Sequence, residues 1–286
     1  METVQISPAA SGVAQQGLTR FSFVRILLAL LAVCVPVAIV LILSGKIPDK
    51  AMRAYWPPLL AAVLGTVGYV LYVRRIEQRP VAEFSGPGAG RELGRGMILG
   101  ALLFVIALGV AALFGRYQYT GVGDAAVVVK ACLEMGFVAL IEEILFRGVL
   151  LRISERSLGS WAGLAISALI FALAHVPNDG ITVLGVANTV IAGLMFGAAY
   201  LATRRLWLTV GMHFAWNFVS DGVFGLPTSG HPARGLLQGQ LSGADWLTGG
   251  AYGLEASAVT LVLLMVATLL LLRQAVRDGR IARRKG

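Results

Sequence analysis

Long apolar segments separated by short polar ones dominate the pattern of hydrophobic positions along this chain. Each apolar segment is close to the roughly 20 residues that a helix needs to cross a bilayer. The segments lie at about residues 26–44, 57–73, 96–115, 125–151, 160–176, 181–202, 206–221 and 255–272. This pattern predicts an all-α protein, a polytopic membrane helix bundle of about eight transmembrane helices.

Composition supports a membrane protein. Of the 286 residues, 57% are hydrophobic and only 14% are charged, whereas soluble domains carry about a quarter charged residues. The formal net charge of +9 would fit nucleic-acid binding, but the basic residues cluster at the ends of the apolar segments. We therefore expect the lipid bilayer as a partner, and no nucleic acid. Cys34 and Cys132 lie within apolar segments and are expected to be small buried residues.

The distribution of Lys and Arg predicts the orientation of the chain, because cytoplasmic loops carry an excess of these residues. With the N-terminus inside, the cytoplasmic segments hold seventeen of them and the outer segments five. We therefore expect a multi-pass protein of the cell (plasma) membrane with both termini in the cytoplasm. Its predicted parts are a cytoplasmic tail (1–25), a transmembrane bundle (26–272) with a Gly-rich outer loop at about 222–254, and a basic cytoplasmic tail (273–286).

Three ionisable residues interrupt the fourth apolar segment: Glu142, Glu143 and Arg147. A charge at the bilayer centre costs about 2.5–3.5 kcal/mol on insertion scales, so such residues usually pair inside the bundle or do chemistry there. Glu143 and Arg147 are four residues apart with the acid first, the favourable order for a helical ion pair. Glu142 lies about 100° away around the helix and is left as a candidate general base or acid. The alternative is that all three only hold helices together.

Two later segments add polar groups at membrane depth. His175 lies near the end of the fifth, and His213 and Asn217 share one helix face of the seventh. We expect these residues and Glu142 to form a common site. Counting residues from the cytoplasmic end places His175 several residues deeper than Glu142. Segment bounds shifted by about two to four residues, or a turn at 177–180 that dips into the protein, would bring the two together. The third histidine, His231, falls in the Gly-rich loop and is treated as incidental.

Small residues recur at a spacing of four in two segments, as Gly96-xxx-Gly100 and Gly193-xxx-Gly197. Such pairs let helix backbones approach closely. We predict close helix packing at both, with a dimer interface as the alternative.

Three short motifs occur in order along the polar-bearing segments: Glu142-Glu143-x-x-x-Arg147, Phe171-x-x-x-His175 and His213-x-x-x-Asn217. They resemble the motifs of the CPBP family, the CAAX-processing and bacteriocin-processing intramembrane endopeptidases, which include the type II CAAX prenyl endopeptidases and the Abi proteins. The resemblance covers about residues 125–222, the predicted catalytic core. By this likeness Glu143 and Arg147 hold the site in shape.

The resemblance also implies an activity. It implies an eight-helix bundle with a catalytic chamber open toward the cytoplasmic side, in which Glu142 activates a water with the help of His175. His213 and Asn217 would stabilise the oxyanion of the tetrahedral intermediate. The expected substrates are membrane-associated or lipidated peptides and proteins, of CAAX type or other.

The metal requirement is open to two mechanisms. A glutamic mechanism without a cofactor is preferred, because His213 and Asn217 form a natural pair of oxyanion donors. The alternative is a zinc site of two histidines and one carboxylate, made by Glu142, His175 and His213, with a bound water. The zincin signature H-E-x-x-H is absent from the sequence.

Two other functions compete with proteolysis. A transporter would use the buried Glu, His and Arg residues as a proton relay. That class predicts internal repeats or paired broken helices, and the sequence shows neither. The second alternative is a non-proteolytic member of the same family, against which the complete motifs argue.

Overall fold

The computed structural model of the chain describes residues 17–233 and 235–283. The first 16 residues of the predicted N-terminal tail, Arg234, and the last three residues of the predicted basic tail lie outside these ranges. The α-helices are α1 (Ser22–Gly45), α2 (Lys50–Arg75), α3 (Ala89–Leu113), α4 (Ala126–Glu143), α5 (Arg152–Leu158), α6 (Ser160–His175), α7 (Val183–Thr203), α8 (Trp207–Phe218), α9 (Asp245–Thr248) and α10 (Ala258–Arg277). Short 3₁₀ helices span Gly17–Arg20, Ala82–Phe84, Gly250–Tyr252 and Leu254–Ala256. Strands β1 (Tyr117–Val122) and β2 (Leu237–Leu241) form an antiparallel pair.

Helices occupy all eight predicted apolar segments, and the all-α membrane bundle is confirmed. Five described helices are long and apolar enough to cross a membrane: α1, the part of α2 from Met52 to Arg75, α3, α7 and α10. The other three segments hold α4, α6 and α8, with 18, 16 and 12 residues, and these carry the polar motifs. The chain is a multi-pass membrane protein, and the number of eight spans stays a prediction. The small β1–β2 sheet is an addition that the sequence did not indicate.

Two helices pass into π-helical turns beside the motif residues. Residues Ile144–Leu151 join α4 and α5 into one continuous helix from Ala126 to Leu158. This helix runs beyond the predicted end at residue 151 because its last turns are polar, and hydropathy marks only its apolar part. Helix α8 likewise ends in a π-helical turn, Val219–Val223. Such turns are rare and frequently lie at functional sites.

Glycines allow the closest helix contacts. A Cβ atom at Gly96 of α3 would lie 2.2 Å from the carbonyl oxygen of Leu208 in α8, and one at Gly100 would lie 2.2 Å from that of Met212. A Cβ at Gly193 of α7 would lie 2.8 Å from the Cα of Ala168 in α6. The predicted small-residue packing is confirmed, and at these glycines it is packing within the chain.

The two cysteines correct the expectation that they are buried. Cys34 and Cys132 are both exposed on the helix bundle. In α1 the buried stripe contains Ala29, Val33 and Val37, and Cys34 lies beside it. Lipid is as apolar as a side chain such as Leu, so hydropathy alone does not separate the lipid-facing side of a helix from its buried side.

A cluster of buried ion pairs closes one end of the bundle. This arginine cluster consists of Arg25, Glu77, Arg79, Glu83 and Arg152. Glu77 lies 2.8 Å from both Arg79 and Arg152 and also pairs with Arg25, while Arg79 lies 2.8 Å from Glu83. Burial alone would raise the pKa of Glu77, but the charge of Arg152, a hydrogen bond from Arg25 and the charge of Arg79 outweigh it and hold the pKa at about 2. The cluster ties the start of α1, the α2–α3 connection and the start of α5 together.

At the opposite end, the Gly-rich loop between α8 and α10 folds back onto the bundle. The carboxylate of Glu255 accepts hydrogen bonds from Trp216 Nε1 (2.9 Å) and from the backbone N–H (2.6 Å) and hydroxyl (2.7 Å) of Ser229. The side-chain amide of Asn188 in α7 donates to the carbonyl of Ser257 (2.8 Å). These bonds make the described part of the loop an ordered cover over the ends of α6 and α8.

Candidate active site

The buried carboxylate of Glu143 is the centre of the polar network between α4 and α8. Its Oε1 accepts from Arg147 Nη1 (2.8 Å) and lies 2.9 Å from His213 Nδ1, and its Oε2 accepts from the Thr209 hydroxyl. The predicted ion pair of Glu143 with Arg147 is therefore present, and both side chains are fully buried. The structure adds that the same carboxylate holds His213 in place.

Arg147 is compensated on several sides. Besides Glu143, its guanidinium donates from Nη2 to the carbonyl of Gly193 (3.1 Å). The guanidinium carbon lies 4.7 Å from the ring centroid of Phe171, 5.1 Å from that of Phe196 and 5.8 Å from that of Phe146. Aromatic faces attract a cation. The arginine thus joins α4 to α6 and α7 as well as neutralising Glu143.

Glu142 points away from this pair and faces two histidines. Its Oε2 lies 3.9 Å from Nε2 of His175 and 3.9 Å from Nε2 of His213. This oxygen is buried and has no direct hydrogen-bond partner among the described residues. A distance of 3.9 Å is too long for a direct hydrogen bond but accommodates a small bridging species such as a water. The Glu142 side chain as a whole is 25% exposed and borders the adjoining cavity.

The tautomers of both histidines follow from their partners. His175 Nδ1 lies 2.8 Å from the carbonyl oxygen of Phe171, and His213 Nδ1 lies 2.9 Å from the Glu143 carboxylate. A carbonyl and an ionised carboxylate only accept hydrogen bonds, so Nδ1 carries the proton in each ring. Nε2 is then a proton acceptor when the ring is neutral and a donor when it is protonated. Both Nε2 atoms are directed at Glu142.

The four predicted catalytic residues line one cavity of about 260 Å³. Glu142 comes from α4, His175 from α6, and His213 and Asn217 from successive turns of α8. Other lining residues come from α4, the end of α6, the π-helical end of α8 and the Gly-rich loop, among them Met135, Ala174, Asn178, Asp221, Ser229 and His231. His231, expected from the sequence to be incidental, lies on the wall of this cavity.

The turn after α6 brings His175 to the depth of Glu142. Helix α6 ends at His175, and the side-chain amide of Asn178 in the following turn donates to the carbonyl of Ser229 (2.9 Å). Gly180 has φ +70°, and a Cβ there would lie 2.8 Å from the Ala251 side chain. The turn therefore dips against the Gly-rich loop, as the common site requires.

A smaller apolar cavity of about 50 Å³ adjoins the histidines. Phe171, Met195, Phe196, Met212 and Trp216 line it together with the two catalytic-site rings. The His213 ring stacks on Phe196 with centroids 4.8 Å apart. This cavity is an apolar recess beside the groups expected to react.

Several residues that hold the site leave little signal in the sequence. Thr209 lies one turn before His213, and the polar stripe of Thr209, His213 and Asn217 in an apolar helix was a usable signal. Gly193 acts through its backbone carbonyl and Glu255 through a distant loop, and neither leaves a local pattern. Glu134, two turns before Glu142 on the same helix, lies 3.4 Å from Lys130 and is partly exposed.

The donor types of the site would suit zinc, since two imidazoles and a carboxylate converge and each imidazole is oriented by a hydrogen bond at Nδ1. The described residues, however, contain no group of three or more His, Cys, Asp or Glu side chains arranged to hold a metal ion. The chemistry of the donors fits zinc, but Glu142 and the two histidines would have to move closer together to bind one ion.

The position of the cavity in the bundle bears on two expectations from the sequence, the side on which the chamber opens and the side on which the termini lie. Its wall is built from the second half of α4 and Phe146 just after it, the end of α6, the end of α8 and the Gly-rich loop. The helix ends and the loop in this wall lie on the side away from the arginine cluster. The charge distribution predicts that side to be outside the cell. Cytoplasmic termini and a cytoplasmic chamber would therefore place this cavity on opposite sides of the membrane, and both stay predictions.

Comparison with known proteins agrees with the class that the bundle defines, a multi-pass helical membrane protein with a buried polar site. Residues 124–219 match the family model described as Type II CAAX prenyl endopeptidase Rce1-like. The matched segment runs from just before α4 to the end of α8 and contains all three motifs. It confirms the resemblance to the CPBP family and supports, in general terms, an intramembrane protease function of CAAX type. No curated protein and no solved structure matches the chain.

Proposed function

We propose that this protein is an intramembrane endopeptidase that hydrolyses a peptide bond of a membrane-associated substrate with a water activated by Glu142. The observation that carries the proposal is the convergence of Glu142 Oε2 with Nε2 of His175 and His213, each 3.9 Å away, in a cavity within a membrane bundle. Peptide hydrolysis needs a base, a positioned water and donors for the oxyanion. These residue types supply all three.

In the first step a water lies between Glu142 and His175. Glu142 takes a proton from the water as its oxygen attacks the carbonyl carbon of the scissile bond, and the carbonyl oxygen becomes an oxyanion. His175 holds the water through Nε2, which accepts its second hydrogen. In the second step the proton on Glu142 passes to the amide nitrogen, the C–N bond breaks and the carbonyl forms again.

His213 serves the oxyanion only in its protonated form. Its Nδ1 proton is committed to Glu143, so a donor at Nε2 requires an imidazolium. Glu143 stabilises that cation directly, and Arg147 keeps Glu143 ionised. Asn217 supplies a second, neutral donor from the next turn of α8. Glu143, Arg147 and Thr209 are positioning residues in this mechanism.

The Glu142→Gln variant tests the base. The amide is nearly isosteric but does not take a proton from water, so we expect the fold to be kept and cleavage to fall about 10²–10⁴-fold. Glu134→Gln, on the same helix but partly exposed and paired with Lys130, is the matched control and should keep its activity. Cleavage is measured with quenched fluorescent peptides on protein in bicelles. Proteomic comparison of cells carrying wild type and Glu142→Gln would identify natural substrates.

Two further variants probe the other roles. His175→Ala should be about as damaging as Glu142→Gln. Asn217→Ala should lose about 10²–10³ in kcat if Asn217 is one oxyanion donor. Full activity in Glu142→Gln would refute the mechanism and favour a transporter or a non-proteolytic family member.

Chelation separates the glutamic mechanism from the zinc alternative. In the glutamic mechanism, protein dialysed against a chelator keeps its activity and elemental analysis finds no stoichiometric metal. In the zinc alternative, activity is lost with the metal and returns on addition of zinc, and His213→Ala abolishes metal binding.

A further inference from the structure

Apart from Phe146, one turn after Glu142, the cavity at Glu142 is lined from one end of the bundle. In α4 the other lining residues, Met135 and Val138, precede Glu142, and Asp221 lies in the π-helical turn after α8. The remaining wall comes from the turn after α6 and from Ser229 and His231 of the Gly-rich loop. A peptide that reaches Glu142 through this cavity therefore enters from the end of the bundle where this loop lies.

The opposite route is filled. Beyond Glu143 the same helix buries Arg147, and one residue further the carbonyl of Gly148 accepts hydrogen bonds from the Tyr69 hydroxyl (3.2 Å) and from Arg152 Nε (2.6 Å). Arg152 in turn belongs to the arginine cluster, whose glutamates bind α1, α2 and α5 together. Fully or nearly buried side chains thus separate the catalytic groups from that end.

The filled end is also the end that carries the positive charge. Arg204 and Arg205, between α7 and α8, lie there and pair with Glu155 and Glu92. The positive-inside rule counts Lys and Arg, and acidic neighbours contribute little to it. Pairing with glutamates therefore does not weaken the assignment of this end to the cytoplasm.

We propose that the catalytic cavity opens on the side of the membrane away from the cytoplasm. The substrates are then exported or membrane-anchored polypeptides whose scissile bond lies in the outer half of the bilayer, rather than lipidated proteins of the cytoplasm. That a bond is cut there rests on the proposed function, whereas the direction of the cavity rests on the fold and the charge distribution.

Thiol labelling tests the direction independently of catalysis. In a Cys34→Ala, Cys132→Ala background, His231→Cys places a thiol at the cavity mouth, and Gly86→Cys places one at the opposite end, where a new side chain meets no neighbour within 4 Å. Intact bacterial cells are treated with a sulfonated maleimide that does not cross membranes. We expect His231→Cys to react in intact cells and Gly86→Cys only after permeabilisation.

The reverse pattern, or equal labelling of both thiols in intact cells, would overturn the proposal. If His231→Cys fails to react even in permeabilised cells, Ser242→Cys, which is exposed at the same end just after β2, gives the orientation in its place.

Cleavage from the two sides then tests the substrate class. A water-soluble mixed library of quenched fluorescent peptides is added to intact cells and to inside-out vesicles carrying wild type or Glu142→Gln. Cleavage by intact wild-type cells alone supports the proposal, and cleavage by inside-out vesicles alone contradicts it. Cleavage in neither preparation counts against the proposed protease function, while the labelling result still decides the direction.

Discussion

Replacing Arg147 by methionine would strand the charge of Glu143 at the centre of the bundle. Methionine keeps an unbranched apolar chain, so the space beside Phe171 and Phe196 stays largely filled. The guanidinium bonds to Glu143 (2.8 Å) and to the carbonyl of Gly193 (3.1 Å) are lost. His213 and Thr209 remain as partners of the carboxylate.

The expected loss follows from burial. Removing one member of a buried ion pair costs about 3–5 kcal/mol, and both members here are 0% exposed. Because two of the three partners of Glu143 remain, we expect a value near 3 kcal/mol, or about 10²-fold in the unfolding equilibrium. Neutralising the acid as well, in Arg147→Met with Glu143→Gln, should recover at least about 1.5 kcal/mol, since no charge is then stranded.

Unfolding in mixed micelles by titration with SDS measures these free energies, and the yield of monodisperse protein gives a second readout. Arg273→Met is the matched control, because Arg273 is exposed near the end of α10, and its effect should stay within about 0.5 kcal/mol. A stable Arg147→Met protein, or a double variant as unstable as the single one, would refute the assignment of Arg147 as the counter-ion of Glu143.

Three further variants address other parts of the fold. Thr209→Val removes the hydroxyl that donates to Glu143, and it should lower kcat about tenfold and the free energy of unfolding by about 1 kcal/mol. Thr209→Ser keeps the hydroxyl and should keep kcat and stability. Equal kcat in the two variants would contradict a role of Thr209 in positioning His213. Gly100→Ala should lower the stability of the fold by about 1–3 kcal/mol, because the new methyl group overpacks against Met212. Gly109→Ala in the same helix is the control, since a Cβ there meets nothing within 4 Å. Equal effects of the two variants would argue against the α3–α8 contact. Despite burial, Arg152, Arg25 and Arg79 hold the pKa of Glu77 near 2 instead of 4.5, so its stabilising effect should be present above about pH 5 and be lost as the pH falls toward 2. Glu77→Gln should flatten that part of the acid unfolding curve, and an unchanged curve would count against the arginine cluster as its cause.

Hydropathy and helical spacing predicted the parts of this protein that depend on local sequence. Each apolar segment became a helix, and the four-residue spacing of Glu143 and Arg147 became an ion pair. The spacing of residues could not establish that Glu142 and His175 lie close together. Their proximity depends on the turn at Asn178, and this turn is fixed by a hydrogen bond to the carbonyl of Ser229, which is distant in sequence. The exposure of Cys34 and the hydrogen bond from Trp216 to Glu255 could not be predicted from the sequence for a related reason. Both depend on which helices are neighbours, and an apolar sequence in an apolar solvent carries little record of that.

The pairing of Glu143 with a residue of its own helix has a consequence for how the chain is made. Ribosomes deliver α4 to the membrane long before α8, so Thr209 and His213 do not yet exist when Glu143 must leave water. Arg147 is only one turn away and is synthesised almost at the same moment. The segment therefore enters the insertion machinery with Glu143 already paired. Thr209 and His213 of α8 bind the carboxylate later, once α8 has been inserted. An arginine supplied from another helix would serve the finished bundle equally well but would leave the nascent helix charged during its transfer into lipid.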